Sequence, residues 1–331
     1  MNIALGVTID FYNLHGEAGD GDKDLVARRV GFQQLRKYLD AESTGQPVIL
    51  FGDTNCRYTA KDPIRTLTEG DNGLTDVWVQ LFRGGSPPAS GTPSVECKFP
   101  NPNPGTPVDT KCELIDKILY RSSPLVRLSP QQYLNEDLKF LTPSGGPLSD
   151  HYPVSVSFSW ESNPVLRAGD DFVGLTPEGT NDGERFSDLP SGGVSFAEAL
   201  WGGGYITELE LKSGLRLDAL SYTMSNGEKR TRGGGGGLPS STLRIDVVSK
   251  ETVTYVEACE APGKLCGSLT VVYFHAQTSS GKSVEGGEKP LAKDGRCSMW
   301  VAPGAGWTLV GFQGRAGKEV ASLGVVWGKI F

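Results

Sequence analysis

The amino-acid sequence changes character near residue 160, and this change constrains the fold more than any other feature. Most of the 44 glycines follow it, among short β-forming stretches with no helical pattern between them. Glycine adopts the positive φ angles of tight turns without steric cost, so this distribution is typical of strands joined by short turns. We predict an all-β domain at residues 186–331, a linker at 161–185 and a different domain at 1–160.

Residues 1–160 have the alternation typical of a layered α/β domain. Residues 23–42 carry apolar side chains at helical spacing, which predicts an amphipathic helix. The apolar run PVILF at residues 47–51 indicates a buried strand, and residues 74–82 a short helix. Further strands are predicted at residues 3–14, 114–120, 125–134 and 153–160.

Charge and hydropathy limit the classes of function. The formal net charge is −7, and no cluster of lysine or arginine is present that could follow a nucleic-acid backbone. A nuclease is still possible, because a bound metal ion would supply positive charge locally. No stretch approaches the roughly 18 apolar residues of a membrane-spanning helix. Residues 1–14 do not have the pattern of a signal peptide.

Four of the six cysteines lie in pairs that are close in sequence. Cys97 and Cys112 bracket a loop rich in proline and asparagine, and Cys259 and Cys266 bracket a short turn. Neither spacing suits a zinc site. In an oxidising compartment we expect two local disulfides, whereas in the cytosol these would be buried thiols. This pairing leaves over Cys56 and Cys297, one in each domain.

Four short segments of residues 1–160 place a metal-binding or proton-transferring side chain in or beside a predicted strand. Ligand sites of open α/β sheets lie at strand ends. A single Gly-Asp turn or a single histidine is usually structural, but two of the three histidines fall in these segments. Their combination therefore predicts a site. The segments are YNLH at 12–15, GDTN at 52–55, IDKILY at 115–120 and SDHYPV at 149–154.

In this order, together with GLTDVW at 73–78, the segments resemble the endonuclease/exonuclease/phosphatase superfamily. Its members include deoxyribonuclease I, abasic-site endonucleases, neutral sphingomyelinases and inositol polyphosphate phosphatases. The resemblance covers residues 3–160. It implies an α/β sandwich of the deoxyribonuclease I type, of which only the C-terminal half is present, and hydrolysis of a phosphate ester by activated water.

The resemblance assigns catalytic roles to five residues. Asp53 would position or deprotonate the attacking water, and Asn55 would donate a hydrogen bond to a phosphate oxygen. His151 would contact the phosphate, with its imidazole oriented by Asp116. His15 would be the second histidine of the deoxyribonuclease-like and sphingomyelinase-like branches. Together these groups would stabilise charge on the phosphate oxygens during in-line attack.

The resemblance also implies that Asp150 holds a divalent cation, expected to be Mg²⁺. The superfamily has a metal-binding asparagine and glutamate before the segment matched here, and Glu17 and Glu42 stand in the wrong context to replace that glutamate. Either the sequence lacks the start of a complete enzyme, or it is a short product that is inactive or pairs with another chain. We expect it to bind metal poorly, to hydrolyse little and to leave an apolar sheet face uncovered. Mg²⁺-dependent phosphodiesterase turnover that is lost in His151→Ala would overturn this expectation.

Residues from Phe186 onward resemble a jacalin-like lectin, a β-prism of three four-stranded sheets. The resemblance rests on ITEL at 206–209, LDAL at 217–220, the glycine run at 233–237, TLRI at 242–245 and GFQGRAG at 311–317.

In sugar-binding members an aspartate stands four residues after the glycine at position 317, and it contacts sugar hydroxyls. Here that position is Ala321, which would weaken sugar binding. The candidate carbohydrate-binding residues are Gly193, Gly234 and Gly317, with Trp307 as a possible neighbour.

Two functions are compatible with these features. The first is a metal-dependent phosphoesterase with an appended carbohydrate-binding domain. The second is a glycan- or surface-binding protein with an inactive hydrolase remnant, and a two-domain protein without chemistry is a third possibility. The sequence does not distinguish among nucleic acid, phospholipid and inositol phosphate as the phosphate-ester substrate. Glycans are a further expected partner, through the carbohydrate-binding domain. Paired cysteines and a lectin-type domain favour secretion.

Overall fold

The chain forms two compact units in a computed structural model. One consists of Thr8–Glu161, and the other of Ser162–Phe331 with Asn2–Val7. The residues described are 2–4, 7–58, 63–89, 91–93, 95–103, 105–174, 183–189, 204–262 and 269–330. Two short strands at the start of the chain, β1 (Asn2–Ala4) and β2 (Val7–Thr8), pair with each other.

The first unit is built on a four-stranded sheet with the order β3-β4-β6-β5. Strand β3 runs parallel to β4, whereas β6 is antiparallel to both β4 and β5. Strands β7 and β8 form a separate two-stranded sheet. In chain order the elements are β3 (Asp10–His15), α1 (Asp22–Glu42), β4 (Val48–Asp53), α2 (Arg65–Thr68), β5 (Thr75–Asp76), α3 (Val77–Phe82), β6 (Asp116–Arg121), β7 (Val126–Asn135), a 3-10 helix (Asp137–Lys139) and β8 (Val154–Ser162).

Helix α1 confirms the helix predicted at residues 23–42. Asp24 lies in its first turn and accepts a hydrogen bond from the Gly21 amide at 3.1 Å, which helps to begin the helix. Phe32 and Leu39 are buried two helical turns apart and give α1 its apolar face.

Two predicted elements differ in extent from the observed ones. The single strand expected at residues 3–14 is divided into β1, β2 and β3. The helix expected at 74–82 begins only at Val77, because the Asp76 carboxylate accepts a hydrogen bond from the Trp78 amide at 2.8 Å and so caps the helix there.

A buried ionic cluster lies on one face of β6. Side chains alternate along a strand, so Lys117 points away from the face that carries Asp116. The Lys117 Nζ lies 2.9 Å from Glu113 Oε1 and 3.4 Å from Asp76 Oδ2. It also lies 4.8 Å from the centre of the Tyr58 ring. All three charged side chains are at most 4% exposed, so the cation balances two carboxylates away from water.

The second unit contains three four-stranded antiparallel sheets whose inner faces share one apolar core. The sheet orders are β10-β19-β20-β9, β13-β12-β11-β14 and β17-β16-β15-β18. Its strands are β9 (Leu166–Ala168), β10 (Glu184–Ser187), β11 (Ile206–Ser213), β12 (Leu217–Met224), β13 (Lys229–Gly233), β14 (Leu238–Arg244), β15 (Val253–Pro262), β16 (Leu269–Thr278), β17 (Ser283–Gly287), β18 (Arg296–Val301), β19 (Trp307–Ala316) and β20 (Val320–Lys329).

Several strands of this unit lie where none was expected. The segment 161–185, interpreted as a linker, contributes β9, which pairs with β20, and the start of β10, which pairs with β19. Strands β13 and β17 are not evident from the sequence. Both are edge strands with mainly polar or glycine residues, which lack the apolar alternation by which a strand is recognised.

One disulfide was predicted correctly and one was not. Cys97 is bonded to Cys112, as expected. Cys259 is bonded to Cys297 instead of Cys266, because β15 and β18 are neighbours and their register places Cys259 directly opposite Cys297. Cys266 lies outside the described residues, and Cys56 is buried. Within the described ranges, no helix is both long and apolar enough to cross a membrane.

Candidate active site

The register of three neighbouring strands brings together residues that are far apart in sequence. His15 is the last residue of β3 and lies opposite Asp53, the last residue of β4. Asp53 in turn lies opposite Asp116, the first residue of β6. Neighbouring strands are about 4.8 Å apart, so the three side chains form a row across one edge of the sheet.

The sheet face that carries His15 and Asp53 also carries apolar side chains. Phe11 and Phe51 share the face of His15 and Asp53 because residues two apart in a strand point the same way. They are 45% and 39% exposed. Within the described residues this face is therefore only partly covered, which agrees with the expectation of an uncovered apolar sheet face.

The turn after β4 fixes the Asp53 carboxylate. The backbone nitrogen of Asn55 donates to Asp53 Oδ1 at 2.7 Å. The side-chain nitrogen Nδ2 of Asn55 donates to Asp53 Oδ2 at 3.1 Å and to the Gly16 carbonyl at 3.0 Å. Asn55 has a φ of 49°, a conformation that asparagine tolerates. Gly52 has a φ of 132°, and a Cβ atom there would lie 2.0 Å from the Leu14 carbonyl oxygen. Only glycine fits that position.

The rings of His151 and His15 both approach the same oxygen of the Asp53 carboxylate. His151 Nε2 lies 3.7 Å and His15 Nε2 lies 3.6 Å from Asp53 Oδ2. The other ring nitrogen of His151 is 2.9 Å from Asp116 Oδ2, so Asp116 accepts a hydrogen bond from Nδ1–H and fixes the ring. The side chain of His15 is 75% exposed, whereas that of Asp53 is 10% exposed.

Burial and hydrogen bonding shift the pKa values of Asp116 and His151. Burial raises the pKa of Asp116, and the hydrogen bond from His151 opposes that rise. The same hydrogen bond to Asp116 raises the pKa of His151, against the smaller effect of its own burial. The raised pKa favours an imidazolium, whose Nε2–H can donate to an anionic oxygen.

The structure brings together the five residues that were predicted to be catalytic. His15, Asp53, Asn55, Asp116 and His151 converge as predicted, but both amide contacts of Asn55 go to the protein, so its role as a donor to phosphate stays a prediction. The sequence did not reveal Gly16, whose carbonyl accepts from Asn55. A Cβ atom at Gly16 would lie 2.5 Å from the Thr54 carbonyl oxygen, so this glycine lets the two strand ends approach.

Three side chains have the placement of metal ligands. Ligand atoms of Asp53, Asp116 and His151 all lie within 4.8 Å of one another. The two carboxylates offer the oxygen ligands that suit a divalent cation, whereas a protonated His151 donates hydrogen bonds and cannot be a ligand. Asp150 is exposed and is not in this group, so its predicted role as metal ligand stays a prediction.

Two of the three predicted carbohydrate residues, Gly234 and Gly317, lie close together. A Cβ atom at Gly234 would lie 2.3 Å from the Lys318 carbonyl oxygen, so the glycine run meets the turn that begins at Gly317. Gly183, which the sequence did not single out, also contacts this turn, whereas Gly193 lies outside the described residues.

Two further positions bear on sugar binding. Trp307 begins the ten-residue strand β19, and Gly317 follows the end of that strand. The interpretation of Trp307 as a neighbour of the site is wrong, because the strand separates the two by roughly 30 Å. Ala321 is 2% exposed and offers no polar side chain to a ligand.

The sequence of the second unit matches the model of a known family. Residues 175–326 match the family model of the jacalin-like lectin domain. The chain therefore contains a jacalin-like lectin domain. Among solved structures, Malaysian banana lectin is 22% identical, with 39% of this chain and 86% of that chain covered and a TM-score of 0.32. AcmJRL, a mannose-binding jacalin-related lectin from Ananas comosus, is 17% identical, with 47% and 97% covered and a TM-score of 0.34.

The chain is also similar to curated enzymes. It is 36% identical over 165 residues to sphingomyelinases of Mycobacterium bovis and Mycobacterium tuberculosis. The match covers 50% of this chain and 30% of each relative, so the chain spans less than a third of the length of these relatives.

Proposed function

We propose that the first unit is a phosphodiesterase that uses a divalent cation, and that phospholipids are its first substrate class to test. The observation that carries this proposal is the convergence of Asp53, Asp116 and His151, with His15 beside them, at one edge of the sheet. The similarity to mycobacterial sphingomyelinases supports a phosphodiester as substrate.

Each side chain has a role that follows from its contacts. Asp53 accepts a proton from the attacking water, and Asn55 keeps its two oxygens in place. The charged His151 ring, fixed by Asp116, donates from Nε2 to a phosphate oxygen. The exposed His15 ring, which also lies next to Asp53, binds the phosphate as a second imidazole. A divalent cation held by Asp53 and Asp116, with Asp150 nearby, would neutralise charge on the phosphate.

Near-isosteric substitutions test this function, and with it the opposing expectation from the sequence that the chain hydrolyses little. The purified chain is assayed for Mg²⁺-dependent hydrolysis of sphingomyelin and of bis(p-nitrophenyl) phosphate, with EDTA as the blank. We expect Asp53→Asn, Asp116→Asn and His151→Asn each to lower the rate by about 10²-fold or more. Val248→Ser is the control, because Val248 is 97% exposed in the lectin domain. Equal rates in the three variants and the control would contradict the proposal.

We further propose that the lectin domain binds glycans, because it belongs to a carbohydrate-binding type of domain. Its missing acidic side chain at Ala321 predicts weak binding at the turn after Gly317. Ala321→Asp should strengthen mannose binding in a titration, since a carboxylate accepts hydrogen bonds from two sugar hydroxyls. No binding by either form would leave this domain with a role in protein contacts.

A further inference from the structure

Thr54 lies between two residues of the candidate active site, Asp53 and Asn55, and is buried where they are not. Its side chain is 2% exposed, whereas both neighbours are partly accessible. A hydroxyl group buried to this extent needs hydrogen-bond partners, because burial without them costs free energy. The partners of this hydroxyl group therefore indicate what Thr54 does.

The hydroxyl group of Thr54 joins the turn after β4 to the start of β6. Thr54 Oγ1 donates to the carbonyl oxygen of Ile115 at 2.7 Å, and the backbone nitrogen of Thr54 donates to the same oxygen at 3.0 Å. Thr54 Oγ1 also accepts a hydrogen bond from the backbone nitrogen of Cys56 at 3.2 Å. One hydroxyl group thus links the turn to the residue that directly precedes Asp116.

This link lies where the pairing of the two strands ends. Asp53 and Asp116 form the last pair of the ladder between β4 and β6. The ends of paired strands open more easily than their middles, because fewer contacts hold them. The contacts of Thr54 with Ile115 follow directly after this last pair, so they restrain the end of the ladder that carries the two carboxylates.

The backbone of Thr54 also lies against the segment that follows β3. A Cβ atom at Gly16, the residue after His15, would lie 2.5 Å from the Thr54 carbonyl oxygen. The Gly16 amide donates to the Asp53 carbonyl at 2.8 Å. Thr54 is therefore in contact with segments from all three strands that supply side chains to the site.

A second contact holds the turn to β6 when the hydroxyl group is removed. The Tyr58 backbone nitrogen donates to Glu113 Oε1 at 2.9 Å, and the same oxygen is paired with Lys117 at 2.9 Å. A variant without the Thr54 hydroxyl group would thus keep the turn attached at residue 58. Its main effect would be a local shift of the segment that contains Asp53.

We infer that Thr54 is a positioning residue, whose hydroxyl group holds the carboxylates of Asp53 and Asp116 at the spacing at which they share one divalent cation. The inference rests on the proposed metal-dependent function for its purpose, but the positioning itself requires no turnover. Hydrogen-bonded groups that orient metal ligands typically contribute about 10–100-fold to metal affinity.

Binding of Mn²⁺ to the full chain, followed by electron paramagnetic resonance, tests the positioning without catalysis. Mn²⁺ replaces Mg²⁺ as the probe, because both ions take oxygen ligands. We expect the wild type to bind an ion that Asp53→Asn no longer binds. Thr54→Val keeps the shape of the side chain without its hydroxyl group and should bind Mn²⁺ about tenfold more weakly, or worse. Thr54→Ser keeps the hydroxyl group and should bind as the wild type does.

Thr44→Val is the matched control for the loss of a threonine hydroxyl group. Thr44 Oγ1 donates to the Asp40 carbonyl at 2.6 Å. Thr44 precedes the start of β4, whereas the site lies at the end of that strand. Both valine variants should lower the Tm of the first unit, because each loses a hydrogen bond, but Thr44→Val should bind Mn²⁺ as the wild type does.

The inference is overturned by equal Mn²⁺ affinity of Thr54→Val and the wild type, or by equal weakening in Thr54→Ser or Thr44→Val. A wild type that binds no Mn²⁺ at millimolar concentration would overturn it as well. Hydrolysis of bis(p-nitrophenyl) phosphate is measured in parallel on the same proteins. A wild type that binds Mn²⁺ but hydrolyses no diester would refute the proposed function and leave the role of Thr54 supported.

Discussion

Replacing Lys117 with methionine removes the cation of a buried cluster and keeps most of its volume. The variant leaves the carboxylates of Asp76 and Glu113 buried, with 3% and 1% exposed, and without their balancing charge. Breaking a buried ion pair on one side costs about 3–5 kcal/mol, because the remaining charge is neither solvated nor paired. For a unit of this size that corresponds to a fall of roughly 10 °C in Tm.

Differential scanning calorimetry measures the effect, and a compensated variant gives the control. The Lys117→Met/Asp76→Asn/Glu113→Gln variant removes all three charges, so it should recover most of the lost stability. The two units should give separate transitions, of which only that of the first unit shifts. A loss below about 1 kcal/mol, or a triple variant no more stable than the single one, would refute the reasoning that charge balance holds this cluster.

Three further predictions follow from contacts described by the structure. Burial alone would raise the pKa of Glu251, but hydrogen bonds from Lys282 and two hydroxyl groups outweigh it and lower the pKa to about 2. Ionised Glu251 therefore stabilises the fold above its ordinary pKa of 4.5, and this contribution is lost as the pH falls towards 2. Glu251→Gln should lower the free energy of urea unfolding at pH 7 by about 1.5–3 kcal/mol and little at pH 2, and an equal loss at both pH values would contradict this. Asn55→Ala should lower phosphodiester turnover by about tenfold or more, because it releases Asp53; an unchanged rate would contradict this. Cys266→Ser should leave the disulfide between β15 and β18 intact in a non-reducing peptide map, and its loss would contradict the observed pairing.

The residues of the candidate site could be predicted from the sequence because their local surroundings are distinctive. The GDTN turn follows an apolar run directly, and Asp116 interrupts another such run. Such breaks in an apolar pattern can be read locally, without knowledge of which strands pair. The mutual placement of His15, Asp53 and Asp116 depends on strand register, which the sequence does not give.

Features that depend on long-range pairing were missed for the same reason. The bond between Cys259 and Cys297 follows from the pairing of β15 with β18, which are separated by two other strands in the chain. The edge strands β13 and β17 carry no apolar alternation of their own.

The alternation of Asp116 and Lys117 along β6 has a consequence for folding fidelity. If β6 slipped by one residue against β4, every side chain of β6 would change face. Lys117 would then stand at the site beside Asp53, and a carboxylate would enter the core without its counter-ion. A sheet with β6 shifted by one residue is therefore less stable than the observed sheet, because its core would hold carboxylates without the ammonium group of Lys117.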